Sequence, residues 1–312
     1  MNFSAFLSVV ATLFALMVTG FVLGKLKIMD ETASKKFSKL ILTVAQPCLI
    51  VSSLLKMEYS EENLKLGLIS FAVGFAVHLF MVLVAFLLTR GFGNLDEQKL
   101  SEFSMVFGNI GFLGLPILDS LFGAKGVFMG AFFVASFNVL IWTLGIAILA
   151  KGRDDIKITP KKVFLNFGTV PCAIGLLLFI LNFEIPTFIT STVSYLGNLC
   201  TPISTLIIGG LLARSSLKKV LLSGKTYFTA LSKLLVMPLI ICIIMKLLGV
   251  DELWTIVVVT VAAMPSATTV SMMAETYNIS PEYSAHAVGL SSILSIITMP
   301  VVIKLAELIV AL

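Results

Sequence analysis

Two short runs place prolines and glycines beside polar side chains within otherwise apolar sequence: GNIGFLGLPIL at 108–118 and AAMPSATTVSMMA at 262–274. A proline inside a helix removes one amide donor and crowds the carbonyl four residues back, at a cost of about 3 kcal/mol. In lipid such a break persists only where neighbouring protein or trapped water satisfies the freed groups. Pro116 frees the carbonyl of Phe112, and Pro265 frees that of Val261. Both prolines suit the first position of a new half-helix, and the preceding Leu115 and Met264 offer no capping side chain. The N–H groups near Ile117 and Leu118, and near Ser266 and Ala267, are therefore expected to carry the positive ends of two half-helix dipoles. Two such ends near the bilayer centre would attract an anion. A pair of plain proline kinks is the alternative; the glycines Gly108, Gly111 and Gly114 before Pro116 favour a built site.

The polar residues nearby complete the candidate site. Asn109 lies in the interrupted stretch and offers an amide to a carboxylate or to water, and Gly111 stands beside it. Ser266 and Thr268 supply hydroxyls after Pro265, and Asn138 lies in the middle of FFVASFNVLIW. Gln46, beside Pro47, is a candidate for the opposite wall. So are Thr201 and Thr205 around Pro202, although satisfying backbone loosened by their own prolines is the simpler role for all three. Asp119 and Glu275 are candidates for a coupling proton. His78 and His286 read as structural, and Lys233 is expected to snorkel to the cytoplasmic surface.

Other chemistries lack their residues. The chain contains no HExxH, GxSxG or Walker A motif, so no enzyme is expected. Cys48, Cys172, Cys200 and Cys242 all fall in apolar stretches and read as free thiols, with no metal or cofactor site among them. The net charge of +5 comes from basic residues scattered between apolar blocks, which is the pattern of membrane anchors and not of a nucleic-acid face.

What must position these residues is a membrane bundle. Of the 312 residues, 58% are hydrophobic and 12% charged, where a soluble domain carries about 25% charged residues; the mean hydropathy is +1.06. That composition excludes a soluble domain and predicts an all-α polytopic membrane protein. Apolar windows predict ten transmembrane segments near 3–24, 34–55, 64–89, 100–121, 125–150, 162–182, 192–213, 227–248, 253–275 and 283–308. The first reads as a retained helix and not a signal peptide. Fifteen of the 22 basic residues fall in the loops after segments 1, 3, 5 and 7, so the positive-inside rule puts both termini outside the cytoplasm. Five segments per half imply two repeats of opposite orientation, 1–150 and 151–312. Prolines at 47 and 116 in one half match those at 202 and 265 in the other. GxxxG at Gly20–Gly24 and Gly126–Gly130 predicts close helix packing.

GNIGFLGLPIL, the longer run AAMPSATTVSMMAETYN at 262–278 and the proline of VAQPCL at 45–48 resemble the auxin efflux carrier family, over the whole chain. The resemblance implies ten helices in two inverted five-helix repeats, similar to bile-acid sodium symporters and sodium/proton antiporters. Segments 1, 2, 6 and 7 would form a scaffold, usually dimeric. Segments 3–5 and 8–10 would move as an elevator, with interrupted helices 4 and 9 crossing beside the substrate. Asn109 would contact a substrate carboxylate, with Pro116 and Pro265 at the crossover; Asn138 is a weaker match. The long cytoplasmic loop of many plant members is missing at 151–162. The expectation is thus a plasma (inner) membrane carrier of a small organic anion such as malonate, malate or an auxin-like acid, forming a homodimer in the bilayer and coupled to a proton or sodium. The alternatives are a sodium-coupled bile-acid-type symporter and a passive anion channel.

Overall fold

The computed structural model describes residues 3–156, 165, 167–214 and 223–311, so part of the basic loop at 151–162 and the start of segment 6 lie outside the described residues. The described chain is helical: α1 Phe3–Lys25, α2 Glu31–Leu54, α3 Glu61–Thr89, α4 Leu95–Val106, α5 Ile110–Leu149, α6 Thr169–Leu181, α7 Thr187–Arg214, α8 Gly224–Leu247, α9 Glu252–Ala262, α10 Thr268–Thr276 and α11 Pro281–Ala311. Seven of these (α1, α2, α3, α5, α7, α8 and α11) are long and apolar enough to cross a membrane, while the apolar helices α6 and α9 are shorter. Large apolar side chains face outward, among them Leu83, Leu247 and Ile297, as they do where the solvent is lipid. Helix starts are written in the sequence: Asp30, Asn94, Ser223 and Asp251 each accept a hydrogen bond from an amide in the first turn of α2, α4, α8 and α9.

Prolines shape these helices in a recurring way. Four wide π-turns occur among the described residues; those at Ile41–Ala45, Ile110–Gly114 and Ser232–Val236 each end two residues before a proline (Pro47, Pro116 and Pro238), and the fourth, Ile141–Gly145, has none. Gln46 N donates to the Ile41 carbonyl and Met237 N to that of Ser232, five residues back in each case. The wider turn moves the backbone away from the proline ring, so the helix passes through the proline position without ending. Pro116 therefore lies inside α5. The expectation that a new half-helix begins there is corrected: the interruption lies at Phe107–Asn109, and helical structure resumes at Ile110. A second break in α5 falls at Gly123, whose φ of 60° and ψ of −149° suit glycine alone.

The chain forms two compact units. The first comprises Met1–Phe75, Gly111–Leu144 and Ile158–Gly210; the second comprises Ala76–Ile110, Gly145–Lys157 and Leu211–Leu312. Inside the first, Met29, Ile41, Ala45, Phe112, Cys200 and Ile207 make a buried cluster. There α1 and α7 approach at backbone distance, because a Cβ on Gly20 would overlap the Leu206 carbonyl and one on Gly209 the Met17 carbonyl. The close packing expected at Gly20 is thus present. In the second unit Tyr227, Ala230, Leu290 and Leu294 join α8 to α11.

Candidate functional site

Within the second unit, the break between α4 and α5 pairs with the break between α9 and α10. Gly108 and Ser266 face each other as an isolated antiparallel bridge. Asn109 N donates to the Pro265 carbonyl at 2.7 Å, and Ala267 N donates to the Phe107 carbonyl at 2.9 Å. The two extended segments thus satisfy each other's backbone. That answers the cost of interrupting a helix in lipid, where every orphaned N–H and C=O must find a protein partner. Side chains brace the pairing. Ser266 Oγ donates to the Ser104 carbonyl in the last turn of α4 at 3.0 Å, and Ser266 N donates to Ser291 Oγ of α11 at 3.1 Å. The amides of Ser266 and Ala267 are therefore occupied and not free for a ligand, which corrects the expectation for α10. Thr268 opens that helix and is half-buried.

Of the six buried side-chain polar atoms without a partner among the described residues, four lie on the elements that make the crossing; the other two are Ser34 Oγ in α2 and Thr226 Oγ1 at the start of α8. Asn109 is buried at 3% exposure and its Nδ2 has no hydrogen-bond partner. The hydroxyls of Ser104, Thr260 and Ser271 are buried and unpartnered as well. Each lies within a turn or so of the breaks: Ser104 near the end of α4, Thr260 near the end of α9, Ser271 in the first turn of α10. Leaving such groups unmade costs about 1–3 kcal/mol each, which makes the crossing the candidate site.

Lys233 belongs to the same surroundings. It lies in the π-turn of α8, is 1% exposed, and makes no ion pair or hydrogen bond among the described residues. Its Nζ stands 3.1 Å from where a Cβ on Gly108 would be, so the ammonium packs directly on the interrupted strand. Snorkelling does not occur. Eight residues separate Lys233 from Lys225 at the start of α8, a depth of about 12 Å at helical rise, and that depth is the signal in the sequence that marks it. Sequence reasoning also misses Glu102, a buried carboxylate that accepts from Thr89 Oγ1 at 3.1 Å and Gln98 Nε2 at 2.9 Å and pairs with Lys151. Asp119 and Glu275 are exposed, and His78 and His286 are buried.

The remaining candidates lie in the first unit. Gly111 stands near Gln46: a Cβ on this glycine would lie 3.9 Å from Gln46 Nε2 and 4.0 Å from Val134 Cγ2. Asn138 is buried, donates to the Val134 carbonyl at 2.8 Å, and its side chain packs so closely on Gly168 that a Cβ there would overlap it. The carbonyl freed by Pro116, that of Phe112, accepts from Thr201 Oγ1 at 3.0 Å. Thr201 thus serves a proline, although not the one beside it; Thr205 donates to the Thr201 carbonyl at 2.7 Å. The eight candidates therefore divide, with Asn109, Pro265, Ser266 and Thr268 in the second unit and Gln46, Gly111, Pro116 and Asn138 in the first.

Long apolar helices mark a multi-pass helical membrane protein, and the paired helix breaks with their unpartnered donors are its candidate site. A family model described as membrane transport protein matches residues 5–166 and 156–303, and the chain belongs to that family, the auxin efflux carriers that its motifs resemble. It is a transporter and not an enzyme. An "Uncharacterized transporter" of Methanocaldococcus jannaschii is 24% identical over 305 residues, covering 94% of this chain and 96% of the relative. A second "Uncharacterized transporter", of Methanothermobacter thermautotrophicus, is 25% identical over 303 residues, 93% of this chain and 95% of the relative. A "Putative malonate transporter" of Rhizobium meliloti is 22% identical over 295 residues, 92% of this chain and 91% of the relative.

Proposed function

We propose that the protein is a secondary transporter of a small organic anion, a carboxylate such as malonate or malate or an auxin-like acid, with the substrate held at the crossing of the two helix breaks. The unpartnered Asn109 Nδ2, buried in that crossing, is the observation that carries the reading. The amide is an acceptor-seeking donor in a region from which water is largely excluded, and a carboxylate is acceptor-only. The name of the Rhizobium relative supports malonate as the first acid to try. In this reading α4 with the first part of α5, and α9 with α10, each make one interrupted crossing, and α6 makes another, for ten in all. The halves 1–150 and 151–312 are inverted repeats. Segments 1, 2, 6 and 7 serve as scaffold and as the homodimer contact, and segments 3–5 and 8–10 carry the substrate in an elevator motion coupled to a proton or sodium. The protein sits in the plasma membrane with both termini outside the cytoplasm, as the distribution of basic residues supports.

Counterflow in proteoliposomes with labelled malonate, malate and indole-3-acetate tests this reading. Saturable exchange of one acid is expected, reduced at least tenfold in Asn109→Ala with the melting temperature kept. Flux that does not saturate and ignores imposed gradients would replace the carrier by a channel, and strict sodium dependence would favour the bile-acid-type symporter. Unchanged exchange in Asn109→Ala would remove the site from the crossing.

A further inference from the structure

Among the described residues the second unit contains two lysines buried to 1% exposure, and they differ in one respect. Lys99, in the first part of α4, has a carboxylate at hand, with its Nζ 3.3 Å from Asp96 Oδ1. Lys233 has none among the described residues, although it lies in the middle of a helix long and apolar enough to cross a membrane. A charged side chain is expensive at that depth and is retained where it meets an opposite charge or lines a substrate path. The ammonium rests against Gly108, where the absence of a side chain lets it touch the backbone, and the next residue is Asn109 with its unpartnered amide. Two groups that can only donate through their free hydrogens, one of them charged, therefore flank the same extended strand.

We propose that Lys233 takes the carboxylate of the transported anion, its ammonium supplying the charge and the neighbouring Asn109 amide a second hydrogen bond. The assignment rests on the reading of the crossing as the substrate site. The ion pair forms only with substrate present, so in the empty protein the amine is desolvated with no counter-charge beside it, and replacing it by an apolar side chain of similar length removes that cost. A lysine that merely held the fold together would behave in the opposite way.

The test uses purified full-length protein and malonate as the probe, comparing wild type with Lys233→Met. Without malonate, Lys233→Met is expected to melt at the same temperature as wild type or higher. Saturating malonate is expected to raise the melting temperature of wild type by several degrees and to leave that of the variant unmoved. In counterflow the apparent KM for malonate should rise at least tenfold in the variant. A variant that still shows the malonate-dependent shift, with KM within twofold of wild type, would overturn the assignment while the carrier reading stands. A variant that loses its fold would make the ammonium a structural partner and would equally overturn the assignment. Wild type that neither shifts with nor exchanges malonate, malate or indole-3-acetate would sink the carrier reading, and the role of Lys233 with it.

Discussion

The two compact units differ in how much buried polarity they leave unanswered. In the first, Ser34 Oγ is the one buried side-chain polar atom without a partner among the described residues, while the carbonyl freed by Pro116 accepts from Thr201 and the Asn138 amide donates to the Val134 carbonyl. In the second, the two helix breaks pair with each other through backbone hydrogen bonds, yet Asn109 Nδ2 and the Ser104, Thr226, Thr260 and Ser271 hydroxyls have no partner among the described residues, and no hydrogen bond or ion pair engages Lys233 there. A satisfied polar group contributes about 1 kcal/mol to stability, whereas an unsatisfied one costs more than that. Groups of the first kind hold a fold, and groups of the second kind persist where a ligand completes them. The larger share of unpartnered groups makes the second unit the better candidate for a binding site.

The largest expected effect comes from breaking the packing of the first unit. Gly209→Val would drive a side chain into the Met17 backbone of α1, and it should destabilise by about 3 kcal/mol or more, as overpacking at a backbone contact does; thermal melting in detergent measures it. A matched pair of threonines then sharpens the comparison. Thr201→Val orphans the Phe112 carbonyl and should lower stability by about 1–2 kcal/mol, with malonate exchange kept in the molecules that remain folded. Thr260→Val makes the same chemical change on a buried hydroxyl that has no partner and should leave the melting temperature unchanged or raised. If the two variants lose equal stability, the division between answered and unanswered polarity fails. The smallest effect concerns the exposed pair Arg153–Asp155, 2.7 Å apart. The Arg153 hydrogen bond holds the Asp155 carboxyl down at about 2. Because the folded value is depressed, any contribution is present above the ordinary carboxylate range and is lost as pH falls through about 2. For a pair so exposed, Arg153→Ala should not shift the melting temperature at neutral pH measurably.

Much of this arrangement is legible in the residues. The interruption of both segments, the place of Asn109, Pro265 and Ser266 at the breaks, and the close approach at Gly20 follow from glycine, proline and amide chemistry inside apolar runs. The position of the first break is not, because Pro116 suggests a helix end, whereas a preceding π-turn accommodates the ring and the chain breaks at Phe107–Asn109, where Gly108 leaves room for the Lys233 and Met264 side chains. Thr201 points by sequence to its own proline, because nothing local tells a side chain to serve a carbonyl 89 residues away. Lys233 escapes for a related reason. Its lack of a partner is a property of everything packed around it, and only its depth along α8 is local information.

The paired breaks also have a mechanical consequence. Two backbone hydrogen bonds, the Ser266 hydroxyl on the Ser104 carbonyl and the Ser291 hydroxyl beneath the Ser266 amide stitch together α4, the start of α5, α9, the start of α10 and α11. A knot of that kind has no slack. Displacing any one of these helix ends would strain the hydrogen bonds that tie it to the others, so the knot couples the five ends mechanically.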